Sequence, residues 1–216
     1  MLTLVLPVCG KSSRFPNLRP KWLLTHATGK SMLQESISGL DLTGVDRIVA
    51  IALKEHEEQY GFSSGIIRDI NDERFEFCFL DTPTDNQPQT IAEGIKKADI
   101  KGAFVCKDSD NYFQSKLSTG NYVGAIDLRQ VGHINAGNKS YITMSATGSV
   151  NNIVEKDVIS NHFCCGLYGF ESAKQYLKYY DKISSNRDIY VSHVIHSMLL
   201  AGMHFSVQKG RDFIDW

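Results

Sequence analysis

The chain opens with Leu2-Thr3-Leu4-Val5-Leu6-Pro7, continues with Val8-Cys9-Gly10-Lys11-Ser12-Ser13-Arg14-Phe15, and then reaches Arg19-Pro20-Lys21. The apolar first run predicts a buried strand. The small and basic residues after it supply free backbone N–H donors and cations at one point, which is the arrangement that a triphosphate needs. Taken alone, the same stretch also fits a tight strand-to-helix turn with a solvated basic face.

Length and composition limit the classes of protein that the chain can belong to. With 216 residues, 42% of them hydrophobic, it can bury the core of one full domain. The formal net charge is -1, and the Lys and Arg residues are scattered, so no basic patch indicates binding to nucleic acid or to an anionic membrane. We therefore expect small anionic ligands. The sequence leaves the oligomeric state open, a homo-oligomer included.

Cysteine usage and hydropathy bear on the compartment. There are five cysteines, with no Cys-x-x-Cys pair and no metal-like spacing with histidine: Cys9, Cys78, Cys106, Cys164 and Cys165. They are predicted to be small core residues in a reducing compartment. The apolar N-terminal run is too short for a signal peptide, and no run approaches the ~20 apolar residues of a membrane span. We expect a cytoplasmic protein.

The first half alternates apolar runs with amphipathic segments. Strands are predicted over 2–7, 47–53, 75–80 and 103–107, and helices over 32–40, 56–70 and 90–98. Strand-helix alternation of this kind predicts right-handed βαβ units in a layered α/β sheet. Ligands of such a sheet gather beyond the carboxyl ends of its strands.

The second half changes to short strands that are predicted to be antiparallel. These are expected over 122–127, 141–145, 150–155 and 164–170, followed by helices over 171–180 and 191–200 and a strand over 204–207. No internal repeat or clear interdomain linker interrupts the chain. We predict a single domain over 1–216, in which 1–113 form one half and 114–216 the other.

Two acidic elements are candidate metal ligands. Asp108 and Asp110 follow the buried strand 103–107, and Asp215 lies in Asp212-Phe213-Ile214-Asp215-Trp216. Hard oxygen ligands that share a site with phosphates suit Mg²⁺. An Asx-turn at Asp108 and a frayed acidic terminus at Asp215 are the structural alternatives. The acidic loop after strand 103–107 is favoured as a metal site because it opens onto the same strand ends as the Gly10 loop.

These motifs resemble, in their order along the chain, the signature of the sugar-phosphate nucleotidyltransferases. That superfamily includes the glucose-1-phosphate thymidylyltransferases and small cytidylyltransferases. Its loop reads Gly-x-Gly-[Ser/Thr]-Arg-[Phe/Leu] and is followed by Pro-Lys. The matching residues are Gly10, Ser13, Arg14, Phe15, Pro20 and Lys21, whereas Ser12 stands where the family usually has a second glycine. The resemblance implies a Rossmann-like three-layer sandwich with a mixed, mostly parallel central sheet.

The resemblance also implies which residues bind the metal and the acceptor. Asp110 fits the metal ligand best, with Asp108 beside it, and Asp215 matches the aspartate of a late Ile-Asp-x-Gly-Thr motif whose Gly-Thr is absent after Trp216. Either the protein ends at this ligand or the sequence is part of a longer chain. Glu155, Lys156 and Gly166 would line the acceptor pocket. An ammonium can neutralise a phosphate and a carboxylate can accept from hydroxyls, although an exposed ion pair is the plain alternative.

The nucleotide would lie in the first half, 1–113. Its phosphates would meet the loop residues Gly10, Lys11, Ser12 and Ser13. The family reads the base just ahead of a helix, which implies contacts from Gln87, Gln89 or Thr90, with the choice between the glutamines open. Thr90 is predicted to be the N-cap of that helix, with Glu93 completing a capping box.

The reaction that this implies is an in-line attack of an acceptor phosphate on the α-phosphorus of a nucleoside triphosphate, with release of pyrophosphate. Arg14 and Lys21 would be the catalytic cations and Mg²⁺ the cofactor. A sugar phosphate or a similar capsule or lipopolysaccharide precursor would be the acceptor. The alternatives are a metal-dependent glycosyltransferase and a non-catalytic nucleotide-sugar sensor.

Overall fold

Twelve strands and six α-helices are present in the computed structural model, which describes residues 1–10, 18–186 and 188–216. The strands are β1 (Leu2–Pro7), β2 (Leu40–Asp41), β3 (Arg47–Leu53), β4 (Phe75–Leu80), β5 (Ala103–Lys107), β6 (Asn111–Lys116), β7 (Tyr122–Asp127), β8 (Ser140–Met144), β9 (Val150–Glu155), β10 (His162–Phe170), β11 (Ser206–Lys209) and β12 (Arg211–Asp215). The helices are α1 (Met32–Ile37), α2 (Lys54–Tyr60), α3 (Ser63–Ile70), α4 (Gln87–Lys97), α5 (Ala173–Ile183) and α6 (Val191–Leu200).

The central sheet is mixed and mostly parallel, which confirms the predicted fold class. Its main path runs β11-β7-β10-β5-β1-β3-β4, and β8 and β9 extend from β10. Strand β1 pairs in parallel with β3 and with β5, and β3 pairs in parallel with β4. Strand β10 is antiparallel to β5 and to β7. The nearly continuous apolar character of β1, β3 and β5 matches their burial on both faces.

Helices cover both faces of the sheet and so form three layers. Along β1, Leu4 and Leu6 enter one hydrophobic cluster and Val5 enters the other, because successive side chains of a strand point to opposite faces. Helices α4, α5 and α6 pack on the Val5 side, whereas α1 and α3 pack on the side of Leu4 and Leu6. None of the described helices is long and apolar enough to cross a bilayer.

Two helical predictions need correction. Glycine 61 adopts a φ of +55° and divides the predicted helix 56–70 into α2 and α3. Helix α4 begins at Gln87, so the prediction that Thr90 is its N-cap, with Glu93 in a capping box, was wrong. The cap is Asn86, whose Oδ1 accepts from the backbone N–H of Gln89 at 2.9 Å. Asparagine is a stronger cap than threonine, and Pro88 is well tolerated in a first turn.

A small second sheet places the end of the chain beside the acidic loop. Strand β6 pairs in parallel with β2 and antiparallel with β12, and Asp215 lies opposite Asn111. Neither β2 nor β6 was predicted as a strand. Because β6 follows the acidic loop directly, this pairing brings Asp215 next to Asp110.

Candidate active site

Two adjoining cavities open at the carboxyl ends of β1 and β5. The first has a volume of about 580 Å³ and is lined by the β1 exit, residues 84–87 and the acidic loop. The second has a volume of about 390 Å³ and is lined by side chains from β8, β9, β10, α6 and β12. Four described residues line both cavities: Lys21, Gln87, Asp108 and Asp110. The two cavities therefore share a wall that carries one basic and two acidic side chains.

Asp108 lies deep in this shared wall. Gln87 Nε2 donates to its Oδ1 at 2.5 Å, and its backbone N–H donates to the carbonyl of Gly166 at 2.8 Å. Gly166 has a φ of +79°, and a Cβ built there would lie 2.4 Å from Asp108 Oδ2. Burial, with Asp110 nearby, raises the pKa of Asp108 to about 6. Gly166 thus contributes the space that Asp108 occupies, in addition to lining the second cavity.

A buried lysine supports the acidic loop from below. Lys107 is 0% exposed, and its Nζ donates to the carbonyl of Asp108 at 2.5 Å and to Asn111 Oδ1 at 2.7 Å. The same Nζ lies 4.6 Å from the centroid of the Phe113 ring. Burial lowers the pKa of Lys107 to about 8. Sequence reasoning missed this residue, although a lysine that ends an otherwise apolar strand is a signal for a paired buried charge.

Asp110 is the more exposed carboxylate of the loop. Its Oδ2 lies 3.6 Å from Lys21 Nζ, and its carbonyl accepts from the backbone N–H of Trp216 at 3.2 Å. Lys21 Nζ also donates to the carbonyl of Trp216 at 2.6 Å. The Pro-Lys motif, the acidic loop and the end of the chain therefore meet at one point.

Asp215 lines the second cavity and forms an ion pair with a lysine. Lys139 Nζ lies 2.6 Å from Asp215 Oδ1, and these side chains are 16% and 28% exposed. Lys139 comes from the segment before β8, 76 positions away, and nothing in the sequence analysis singled it out. It adds a third lysine to the second cavity, beside Lys21 and Lys156.

Asp110 in the shared wall and Asp215 in the second cavity present carboxylate oxygens, the donor type that a hard divalent cation prefers. Within the described ranges, no group of three or more His, Cys, Asp and Glu side chains is arranged to hold a metal ion. If the Asp110 and Asp215 carboxylates held an ion, most of its coordination would have to come from phosphate oxygens and water. Mg²⁺ prefers such a site, with one or two carboxylates plus substrate.

Glu155 and Lys156 line the second cavity, and both are held by neighbours. Glu155 Oε2 accepts from Ser140 Oγ at 2.5 Å and from Ser192 Oγ at 2.6 Å. Lys156 Nζ donates to the hydroxyl of Tyr190 and lies 4.3 Å from the centroid of its ring. The hydrogen bond with Tyr190 raises the pKa of Lys156. The pair is therefore built into the cavity wall.

The structure separates the two glutamines and Thr90. Gln87 lines both cavities, and Thr90 lines the first, where its hydroxyl lies 2.6 Å from that of Thr84. Gln89 is not brought to the site: its Oε1 accepts from the backbone N–H of Asp85 at 2.7 Å, and it lines a separate cavity beside α4. Of the two glutamines, Gln87 is thus the one that lines the first cavity.

The structure describes only part of the loop that is predicted to bind phosphate. Gly10 lines the first cavity. Lys11, Ser12, Ser13 and Arg14 lie outside the described residues. Their assigned contacts with phosphate, and the catalytic role of Arg14, stay predictions.

Comparison with known proteins gives a clear answer for the fold. No protein-family model and no curated protein matches the sequence. A nucleoside-diphosphate-sugar pyrophosphorylase from Vibrio cholerae RC9 superposes with a TM-score of 0.78 at 20% identity, covering 98% of this chain and 94% of that chain. The inositol-1-phosphate CTP transferase from T. maritima gives 0.76 at 15% identity, with 100% and 88% covered.

A third solved structure agrees with these two. UDP-glucose pyrophosphorylase complexed with UDP-glucose superposes with a TM-score of 0.71 at 14% identity, and 98% of this chain and 92% of that chain are covered. The likeness spans nearly the whole length of each protein, and the predicted resemblance is confirmed at the level of the fold. The chain has the fold of the nucleotide-sugar pyrophosphorylases and related nucleotidyltransferases.

Proposed function

We propose that the chain is a nucleotidyltransferase that joins a nucleoside triphosphate to a sugar phosphate or a similar phosphomonoester and releases pyrophosphate. The observation that carries the proposal is the wall shared by the two cavities, which presents Lys21, Asp108 and Asp110 to both. A reaction between two phosphorylated substrates needs two adjoining sites with cations and carboxylates at their junction. The fold shared with proteins whose names state this chemistry supports it.

Such a reaction depends on positioning and charge neutralisation more than on covalent help. Lys21 lies at the junction, where its ammonium would meet both the α-phosphate and the incoming monoester. In the second cavity, Lys156 would bind the acceptor phosphate and Glu155 the acceptor hydroxyls. The predicted role of Arg14 is to stabilise charge on the departing pyrophosphate.

We propose Mg²⁺ as the cofactor, held by Asp110 and Asp215 with Asp108 beside them. When bound, it would neutralise charge on the α-phosphate. Lys139, whose Nζ lies 2.6 Å from Asp215 Oδ1, would orient that carboxylate. A cytoplasmic role in supplying activated sugars for capsule or lipopolysaccharide synthesis is consistent with this chemistry.

The direct test incubates the protein with each of the four nucleoside triphosphates and a panel of phosphomonoesters, including sugar 1-phosphates, inositol 1-phosphate and phosphocholine. We expect pyrophosphate release for at least one pair, dependent on Mg²⁺. Tight nucleotide binding without product would instead favour a sensor. Turnover of a nucleotide sugar without pyrophosphate release would favour a glycosyltransferase.

A further inference from the structure

The Glu155-Lys156 pair ends β9 in a conformation that needs outside support. Lys156 has a φ of +58°, in the left-handed region that a residue with a Cβ rarely adopts. Such a residue persists only where its surroundings hold it, and strain of this kind concentrates at ligand sites. The neighbours that hold this pair are therefore candidates for a functional role.

Much of the support comes from the start of α6. Ser192, 1% exposed, donates through Oγ to Glu155 Oε2 at 2.6 Å, and Ser140 donates to the same oxygen from β8. Tyr190, the residue before α6, accepts from Lys156 Nζ through its hydroxyl and places its ring against the ammonium. One helical turn thus contacts both members of the pair, 37 and 34 positions away in sequence.

These contacts decide what the pair can offer a ligand. Both serine hydroxyls donate to Glu155 Oε2. The described residues supply no hydrogen bond to the other oxygen, Oε1. Because the Glu155 side chain lines the second cavity, Oε1 is the oxygen that it can offer to a ligand there. The Lys156 ammonium is held against an aromatic ring, so the rotamer entropy of this long side chain is already lost before an acceptor arrives. A fixed carboxylate beside a fixed ammonium matches an acceptor that carries hydroxyls and a phosphate.

We propose that Tyr190 and Ser192 are positioning residues for the acceptor: Ser192 orients Glu155 toward its hydroxyls, and Tyr190 orients Lys156 toward its phosphate. The inference deepens the proposed function and rests on it. It assigns the first turn of α6 to the recognition of a hydroxylated phosphomonoester. The triphosphate, bound in the first cavity, should not depend on these two residues.

The test measures KM separately for the two substrates in Ser192→Ala and Tyr190→Phe. Each change removes one hydrogen bond to a charged group, and we expect KM for the acceptor to rise about fivefold or more. KM for the triphosphate should stay within about twofold, and Ser192→Thr, which keeps the hydroxyl, should restore acceptor binding. The matched control is Ser36→Ala in α1, which removes a hydroxyl that is 0% exposed and donates to the Leu33 carbonyl, away from both cavities.

Several results would overturn the proposal. The first is an unchanged KM for the acceptor in variants that keep the wild-type melting temperature. The second is an equal rise in KM for both substrates in such variants. Calorimetric measurement of binding of the same phosphomonoester panel distinguishes failure of this positioning proposal from failure of the proposed nucleotidyltransferase activity. Wild-type protein that binds a phosphomonoester without turnover contradicts only the nucleotidyltransferase activity, and the α6 variants must then weaken that binding. Wild-type protein that binds none of the panel contradicts both.

Discussion

The two cavities of the site are built in different ways. The first is formed mainly by the β1 exit, the start of α4 and the acidic loop, all of them segments that follow the carboxyl ends of parallel strands. The second is formed by residues from many separate parts of the chain, joined by contacts such as Lys139 with Asp215 and Glu155 with Ser192, which are 76 and 37 positions apart. Local motifs therefore specify the first cavity, the proposed nucleotide side, whereas long-range pairing creates the second cavity, the proposed acceptor side.

Asp110 belongs to both sides, so its removal should have the largest effect. Asp110→Asn keeps the shape of the side chain but removes the charge that would hold Mg²⁺, and we expect Mg²⁺-dependent turnover to be abolished. Pyrophosphate release with and without excess chelator measures this. The matched control is Asp99→Asn, a loop carboxylate that is 77% exposed and pairs with Lys101. Wild-type turnover in excess chelator would argue against the metal.

Lys21 is the cation at the junction of the cavities. Lys21→Ala should lower turnover about 10²-fold, because a cation aimed at developing charge in a shielded site contributes a large share of the rate. Lys101→Ala, at a side chain that is 77% exposed, is the control for charge removal. Equal pyrophosphate release by Lys21→Ala and wild type would remove Lys21 from the mechanism while leaving the fold assignment intact.

Local sequence signals could place the strand ends around the first cavity, whereas the long-range pairing around the second could not be predicted from them, for a physical reason. Apolar strands such as β1 and β5 can be recognised locally, and the carboxyl ends of parallel strands lie at one edge, so Gly10 and Asp108 could be placed together. The approach of Asp215 depends on the pairing of β12 with β6, and β6 was not predicted. Its short run from Asn111 to Lys116 lacks a clear apolar alternation.

The second cavity is also lined by residues that carry no motif. Lys139, Tyr190 and Ser192 act through contacts with distant segments, and a lone lysine or serine in a sequence gives no sign of such a partner. For the same reason the family resemblance indicated Glu155 and Lys156 but not what holds them. Helix α4 shows a local limit of a different kind, since the cap was predicted at Thr90 but lies earlier in the chain, at Asn86.

Gly166 tests whether the acidic loop needs the space beside β10. Gly166→Ala should lower turnover about 10-fold, because the new methyl group would overlap the Asp108 carboxylate. Gly148 is a matched control: its φ of +82° resembles the +79° of Gly166, but a Cβ there meets nothing within 4 Å. The positive φ should cost each variant about 1 kcal/mol in the free energy of unfolding, and the overlap with Asp108 should make Gly166→Ala the less stable of the two. Equal activity of the two folded variants would show that displacement of Asp108 has no consequence.

The two glutamines of α4 test the proposed nucleotide side, and we expect their substitutions to have the smallest effect. Gln87→Ala removes an amide that lines both cavities and donates to Asp108, and we expect KM for the triphosphate to rise about fivefold, with weaker discrimination between bases. Gln89→Ala should change KM by less than about twofold, because that side chain is bound to the Asp85 backbone and lines another cavity. Steady-state kinetics with all four triphosphates distinguishes the variants. A larger loss of base preference in Gln89→Ala would mean that the helix rearranges on binding and that Gln89, not Gln87, reads the base.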